Sequence, residues 1–523
     1  MEMNSTSVAQ LNASKPLAES QRAERHSYGQ IVKSSAIIGG SSVINIFLGI
    51  IRTKVMAVLL GPGGIGLMGI YNSITDTATV ISGMGIRSSG VRQIADAVGS
   101  GEDLKLARTV TTLRRVTILL GVLGTVVVAL SSKPICHLIF GNTNHTGAVV
   151  VLSTTIFFGT ICWGLSALVQ GMRRIGDLAR SNVFGALCST LLSIPIIYVL
   201  RERGIVPSLI LVSFASALVA WWYARKVRVK QIDLNIQETW NEARGLLALG
   251  LIFMSSAILT TGVTFLTRVI IVRRLGIDAA GFYQSAWALA GIYVGFILQA
   301  MGADYFPRLS AVAKQPAECN RLINQQGEVG LLLATPGVLA TLTFAQLVIH
   351  AFYSAKFAPA AEILRWLILG MLLRVVCWPM GFLLPARSER KLFFWTQIII
   401  NATQLGLIWV GVRLWGLAGI GMGFSAGEVF SCCLIYLVVK RLAGFHISSS
   451  NIRHAMVAAP AISLVFVMPY FVSGSAAVVF SCCLTTGVAG YCLKSMLTVL
   501  GPEKVQHYIE LLRNKFIIPF KPK

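Results

Sequence analysis

The sequence is poor in charge. Only 13% of its 523 residues are Asp, Glu, Lys or Arg, about half the share found in soluble globular domains. Acidic side chains are the scarcest, 21 against 45 basic ones. A single aqueous core cannot absorb this much apolar chain, because cores stop growing near about 300 residues, so a soluble globular protein is excluded. Cysteine is sparse as well, with ten in the whole chain, and that excludes a secreted disulfide scaffold. Several cysteines lie inside apolar runs, including the pairs Cys432-Cys433 and Cys482-Cys483. Residues 1–30 contain no apolar stretch, so they are read as a disordered tail rather than a cleavable signal peptide. A phosphate-binding GxxxxGK(S/T) loop is missing, which argues against ATP hydrolysis. His137 and His145 fall in one outer loop and His350 in another, without ligand spacing, so neither a metal nor any other cofactor is expected.

What the chain has in abundance is apolar stretches of about the 20 residues that a bilayer-crossing helix needs. There are fourteen, at approximately 34–60, 66–86, 115–130, 148–168, 181–199, 207–223, 247–272, 281–302, 329–349, 363–384, 393–411, 417–439, 454–472 and 476–498. The fold class expected is therefore all-α: a polytopic membrane protein with about 14 transmembrane helices. With the N-terminus inside, 32 of the 45 Lys and Arg fall on the inner side and five in outer loops. That asymmetry puts both termini in the cytoplasm. It also accounts for the formal net charge of +24 without a nucleic-acid partner, since the cations are dispersed along the chain rather than clustered. Outer loops are short, the longest being 131–147, so function is expected between the helices.

The chain repeats itself. Leu60-Gly61 followed by Gly66 recurs as Leu275-Gly276 followed by Gly281, 215 positions later, and each copy has an early tyrosine, Tyr71 and Tyr283. Ser34-Ser35-Ala36-Ile37 is echoed by Ser255-Ser256-Ala257-Ile258, Met84-Gly85 by Met301-Gly302, and Arg92 by Arg308. Six spans per copy give two lobes of the same orientation, an arrangement that suits alternating access to a site between them. The expected organisation is a tail (1–30), an N-terminal six-helix lobe (31–225), a cytoplasmic linker (226–245), a C-terminal six-helix lobe (246–445), an extra helix pair (446–500) and a cytoplasmic tail (501–523). Pro195, Pro336, Pro379 and Pro460 lie within spans, where they kink helices. The sequons at Asn4 and Asn401 fall in the inner tail and in a span, so neither is read as glycosylated.

Charged side chains inside spans are costly and usually face a cavity or a partner. Arg52 and Lys54 lie late in the first span, Arg268 late in the seventh, Arg273 and Arg274 just beyond it, and Arg374 near the middle of the tenth. Arg268 falls within one residue of the repeat equivalent of Lys54. Cations at matching depths would make a basic cavity for an anion such as a phosphate, which guanidinium binds bidentately. For Arg52, Lys54, Arg273 and Arg274 the alternative is snorkelling to headgroups; for Arg268 and Arg374 it is a structural ion pair. Asp76 and Glu428 are the acids at comparable depth, read as ion-coupling groups or as partners of a neighbouring arginine.

Three segments carry a family resemblance: LGPGGIGLMGIYNS (60–73), IFGN (139–142) and FYSAKFAPAAEILRWLILGMLLRVVCWPMGFLLPA (352–386). They resemble the Wzx-type lipid-linked oligosaccharide flippases, the polysaccharide-transporter branch of the multidrug/oligosaccharidyl-lipid/polysaccharide exporter superfamily. The likeness is greatest to O-antigen and enterobacterial common antigen translocases, and it covers roughly residues 30–445. It implies a protein of the bacterial inner membrane that moves an undecaprenyl-pyrophosphate-linked oligosaccharide from the cytoplasmic to the periplasmic leaflet through a cationic cavity between two six-helix lobes. In that family Lys54 corresponds to the first-helix cation before the glycine-rich turn. The resemblance also implies assembly with a polysaccharide polymerase and a chain-length regulator. Fourteen spans rather than twelve match the related lipid II flippases. Tryptophans such as Trp163, Trp287, Trp366 and Trp378 are read as sugar-stacking platforms or as packing and interfacial residues.

The rival readings are a cation-coupled multidrug exporter or a lipid II flippase of the same superfamily, a membrane glycan polymerase or ligase, and a structural scaffold subunit. An exporter of cationic drugs favours lumenal acids, whereas deep cations outnumber deep acids in this chain. A polymerase or ligase needs a larger outer loop than 131–147. A scaffold does not require cations at matched depths. The expectation is a transporter and not an enzyme.

Overall fold

A bilayer offers no water to backbone amides and carbonyls, so each crossing segment must satisfy them internally, and an open chain can do that only as helix. The computed structural model describes residues 5–230, 232–472 and 475–500, with side chains from residue 39 onward except at 252, 256, 299, 300, 302–304, 475 and 500. Among the described residues there is no strand, and helices run almost end to end. They are α1 (Ser5–Ser82), α2 (Ile86–Ser100), α3 (Asp103–Leu130), α4 (Ser132–Phe140), α5 (Thr146–Leu152) and α6 (Thr154–Gly171). Then come α7 (Ile175–Leu200), α8 (Ile205–Ala224), α9 (Ile236–Leu275), α10 (Ile277–Ala311), α11 (Pro316–Thr343) and α12 (Ala345–Phe352). The last are α13 (Ala360–Gly381), α14 (Leu383–Ala386), α15 (Arg390–Ala443), α16 (Ser449–Phe471) and α17 (Ser475–Leu500). The backbone is already helical at Ser5, within the segment read from composition as a disordered tail; residues 1–4 and the expected tail 501–523 lie outside the described residues.

Nine helices among the described residues are long and apolar enough to cross a membrane, or eleven when each of two bent pairs counts as one span. That is fewer than the fourteen apolar stretches of the sequence. The difference arises in Gly39–Ser82, Ile175–Ala224 and Arg390–Ala443, each of which continues through two of those stretches. A 54-residue helix such as α15 is about 80 Å long, against about 30 Å of hydrocarbon, so it does not fit the bilayer as one crossing.

These long segments break where the backbone leaves the right-handed helical region, and the breaks repeat. Gly61 (φ 68°, ψ −171°) matches Gly276 (φ 88°, ψ 178°). Arg201 (φ 52°, ψ −132°) matches Gly416 (φ 56°, ψ −124°). Arg173 (φ 56°) matches Ser388 (φ 60°). All three pairs are 215 positions apart, the offset of the sequence motif. Other features recur at nearly that spacing. α3 and α11 are both 28 residues long, and each leads into a short helix, α4 or α12. Beside the turn at 173, Arg174 Nη1 donates to the Lys226 carbonyl at 2.8 Å; beside the turn at 388, Arg387 Nη1 donates to the Leu442 carbonyl at 2.6 Å. Each arginine satisfies a carbonyl at or just past the end of the last helix of its repeat, where helices leave such groups unpaired.

The chain divides into two units. The first is Met1–Leu59, Ile74–His137 and Asn142–Ile258; the second is Leu60–Ser73, Leu138–Gly141 and Leu259–Lys523. The expected linker 226–245 therefore belongs to the first. Each unit has its own core, built from equivalent positions. Leu168 and Ala224 lie in the first core, and Leu383 and Val439 take their places in the second. In the second unit Cys377 of α13 and Cys432 of α15 form a disulfide.

Lipid tails are as apolar as leucine, so helices in a membrane are held by close packing and polar contacts rather than by the hydrophobic effect. The repeat motif supplies the first. A Cβ at Gly66 would strike the Ile277 carbonyl and lie 2.8 Å from the Gly281 amide; one at Gly281 would strike the Pro62 carbonyl and lie 3.1 Å from the Gly66 amide. The two copies of the motif thus cross backbone against backbone within the second unit. The second kind of contact fastens the terminal hairpin, in which α16 and α17 both pack on α11. Asn320, Asn324 and Glu328 recur every four residues on α11, one helical face. Asn320 Nδ2 meets the His446 ring at 2.7 Å, and Asn324 Oδ1 accepts the Ser448 amide at 2.8 Å. Glu328 Oε1 accepts the Ser450 hydroxyl at 2.5 Å and lies 3.1 Å from His454 Nε2, while His454 Nδ1 meets the Tyr491 hydroxyl at 2.9 Å.

Two expected outcomes test this account. Arg201 holds a conformation that suits glycine, and its repeat partner is Gly416. Arg201→Gly is expected to raise stability by about 1 kcal/mol, read as a higher melting temperature in detergent; a lower one would refute strain at that turn. Glu328→Ala strips Ser450 and buried His454 of their shared acceptor and is expected to cost about 1–3 kcal/mol. An unchanged melting temperature would mean that apolar packing alone holds the hairpin.

Candidate functional site

The deep charges found in the sequence fall in both units. In the first, Arg52 of α1 is half-buried and donates to the buried Ser189 hydroxyl of α7. Lys54, half a turn on, is also half-buried, whereas Asp76 is exposed. In the second unit Arg273 and Arg274 are exposed near the end of α9. Arg273 lies against Gly141 of the IFGN turn, where a Cβ would meet its guanidinium.

Arg268 and Arg374 belong to one cluster in the second unit. Arg374 of α13 gives both Nε, at 3.1 Å, and Nη2 to a single carboxylate oxygen of Glu428 on α15. Glu428 is buried at 7% side-chain exposure, while Arg374 keeps 37%, so the acid is enclosed and the cation retains an open face. The guanidinium carbon lies 5.0 Å from the Phe424 ring centre and 6.0 Å from that of Trp287, within cation–π range. Trp287 meets Phe424 edge to face, with centroids 5.4 Å apart, and lies 5.8 Å from Tyr283. Tyr283 is buried. Arg268 Nη2 donates to Gln284 Oε1 at 2.6 Å.

The local sequence explains the placement. Trp287 lies one turn along α10 from both Tyr283 (i, i+4) and Gln284 (i, i+3), which brings the three to one side of the helix. Gly69 clears room for Gln284, since a Cβ there would lie 3.2 Å from its Oε1; the LGPGGIGLMGIYNS segment thus shapes the cluster without contributing a charge. Gln404 Nε2 donates to the Phe424 carbonyl at 3.2 Å. Outside the spans, half-buried His145 has its pKa lowered by burial. Of the charges singled out in the sequence, the structure pairs Arg374 with Glu428 and sets Arg268 against Gln284, a neutral group whose signal in the sequence is an amide in a largely apolar run.

Residues 55–362, more than half of the chain, match the family described as polysaccharide biosynthesis protein. The chain belongs to that family. It is 25% identical over 443 residues to the Lipid III flippase of Escherichia coli (strain K12), an alignment covering 79% of this chain and 100% of that protein. Its fold resembles that of the Lipid II flippase MurJ in an inward closed conformation, with TM-score 0.68, 13% identity, and 89% of this chain and 99% of that one covered. It also resembles an inward-facing multidrug resistance MATE family transporter of the MOP superfamily, with TM-score 0.65, 15% identity, and 76% and 95% covered. A member of the polysaccharide biosynthesis family thus has the fold of MOP superfamily transporters.

The Arg374–Glu428 contact can be tested directly. Removing Arg374 alone strands a buried carboxylate. Because Arg374 is 37% exposed, Arg374→Leu is expected to cost about 3 kcal/mol, the low end of the range for a broken buried pair. Adding Glu428→Leu is expected to recover most of it. A double variant no more stable than Arg374→Leu would show that the two side chains are not coupled.

Proposed function

We propose that this protein is a flippase for lipid-linked sugars. Its substrate is an undecaprenyl-pyrophosphate-linked oligosaccharide of O-antigen or enterobacterial common antigen type, carried from the cytoplasmic to the periplasmic leaflet of a bacterial inner membrane. The observation that carries this reading is the half-open Arg374, held beside aromatic rings including Trp287 of α10, the helix whose Gln284 binds Arg268, in a chain of the polysaccharide biosynthesis family. A pyrophosphate needs preorganised cations away from bulk water. The half-buried ring of Trp287 suits the apolar face of a sugar, with buried Tyr283 packed behind it, and the prenyl tail remains in lipid. Glu428 fixes Arg374 and offsets the cost of burying it. Arg52, Lys54, Arg273 and Arg274 are assigned to the phosphate path, and Asp76 to ion coupling or pairing.

In this reading the chain crosses the membrane fourteen times with both termini cytoplasmic, as the 32-to-5 distribution of cations supports. The lobes rock about the bound anion, no covalent chemistry is performed, and a polymerase and chain-length regulator are the expected partners. The multidrug-exporter reading is weaker, because Glu428 already accepts two bonds from Arg374 and is poorly available to a cationic drug.

Proteoliposomes with a labelled undecaprenyl-pyrophosphate glycan test the proposal. Wild type is expected to translocate the label, and Arg268→Ala to lose at least about tenfold, equivalent to about 1.4 kcal/mol. The swap Arg374→Glu with Glu428→Arg preserves the pair while moving the cation. It is expected to fold and to transport poorly. Full transport by the swap would make Arg374 structural, and no translocation by wild type across several glycans and ion gradients would overturn the flippase reading.

A further inference from the structure

The first unit contains a cavity of about 830 Å³ between α3, α6 and α8, within the range of roughly 300–1,000 Å³ typical of ligand sites. Its walls are apolar. Ile118, Phe214, Leu218 and Trp221 line it and are each 46–51% exposed, which in a membrane means exposure to acyl chains. The lining also includes Arg114 of α3, where the apolar stretch of that helix begins, and Arg225 and Arg228 just past the end of α8. All three arginines are exposed, and among the described residues no carboxylate lines the cavity. Arg225 is braced by two rings, its guanidinium carbon 5.2 Å from the centre of Trp221 and 3.7 Å from that of Trp222.

We propose that this groove binds an anionic phospholipid from the leaflet at the C-terminal end of α8, the headgroup phosphate held by Arg114, Arg225 and Arg228 and an acyl chain lying along the apolar walls. Three guanidiniums in a lining that holds no acid among the described residues are costly beside hydrocarbon, and a phosphate at that end answers their charge with the bidentate geometry they favour. Basic pockets between membrane helices on the cytoplasmic side recognise anionic lipid headgroups in this way. The occupant is a resident lipid rather than the transported glycolipid, because the lining has one hydroxyl, Thr117, and no amide or carboxylate to read a sugar. The Trp221–Trp222 pair holds Arg225 at headgroup level, as aromatic residues do at membrane interfaces. A bound phospholipid would tie α8 and the start of the linker to that leaflet.

The test uses the full chain, purified in mild detergent and depleted of lipid, then mixed with phosphatidylglycerol or phosphatidylcholine and examined by native mass spectrometry. Phosphatidylglycerol is expected to be retained in preference to phosphatidylcholine. Each single Arg→Gln substitution at 114, 225 or 228 should weaken that retention about fivefold, and the triple Gln variant should abolish the preference. The triple Lys variant, which keeps the charge but not the fork, should retain more phosphatidylglycerol than the triple Gln variant. The single variants keep the test decisive if the triple one does not fold. Equal retention of the two lipids, or single variants indistinguishable from wild type, overturns the proposal. So does displacement of phosphatidylglycerol by an equimolar undecaprenyl pyrophosphate, which would make the groove a substrate site. None of these outcomes depends on transport, so they are separable from failure of the flippase reading.

Discussion

Everything in this protein follows from the need to satisfy the backbone without water. In hydrocarbon each unpaired amide or carbonyl costs several kcal/mol, so the chain can depart from helix only at a few protected positions. Those departures are where the architecture is specified. Three pairs of left-handed residues (Gly61 and Gly276, Arg173 and Ser388, Arg201 and Gly416) stand at one spacing, and they divide helices that would otherwise be too long for the bilayer. The same requirement explains the arginine clamps at Arg174 and Arg387, each of which pairs with a main-chain carbonyl at the close of its repeat.

Once the backbone is satisfied, the remaining specificity comes from shape and from a small number of polar contacts. The crossing of Gly66 and Gly281 works because neither residue has a side chain; a methyl group at either would meet a carbonyl. Polar contacts are used where close packing is not enough, and the Asn320, Asn324 and Glu328 face of α11 holds the terminal hairpin in that way. Such ladders are expected where a segment has no counterpart in the repeat and cannot reuse its packing.

Charge follows the same economy. Glu428 is enclosed, yet it is matched by a cation that keeps part of its surface open. In the proposed flippase, that asymmetry lets one arginine serve both as structural partner and as a site for an incoming anion, with its guanidinium set against Phe424 and Trp287. The three arginines near α3 and α8 have no such carboxylate lining their groove. Two basic regions in one chain thus differ in physical character: one holds a carboxylate bonded to one of its two arginines, and the lining of the other holds none among the described residues.

The sequence by itself determined the class of the protein, the repeat and its offset, and the identity of the deep charges, because hydropathy, glycine placement and costly side chains are written along one dimension. It separated the apolar stretches on either side of Gly61 and Gly416, where the backbone does leave the helical region, but did not show that helix resumes at once beyond each break. Nor could it pair Arg374 with Glu428, 54 residues away, bring Gly69 against Gln284, or gather Arg114 with Arg225 and Arg228 at one groove. Each of those meetings depends on which faces of distant helices are pressed together, and only tertiary packing decides that.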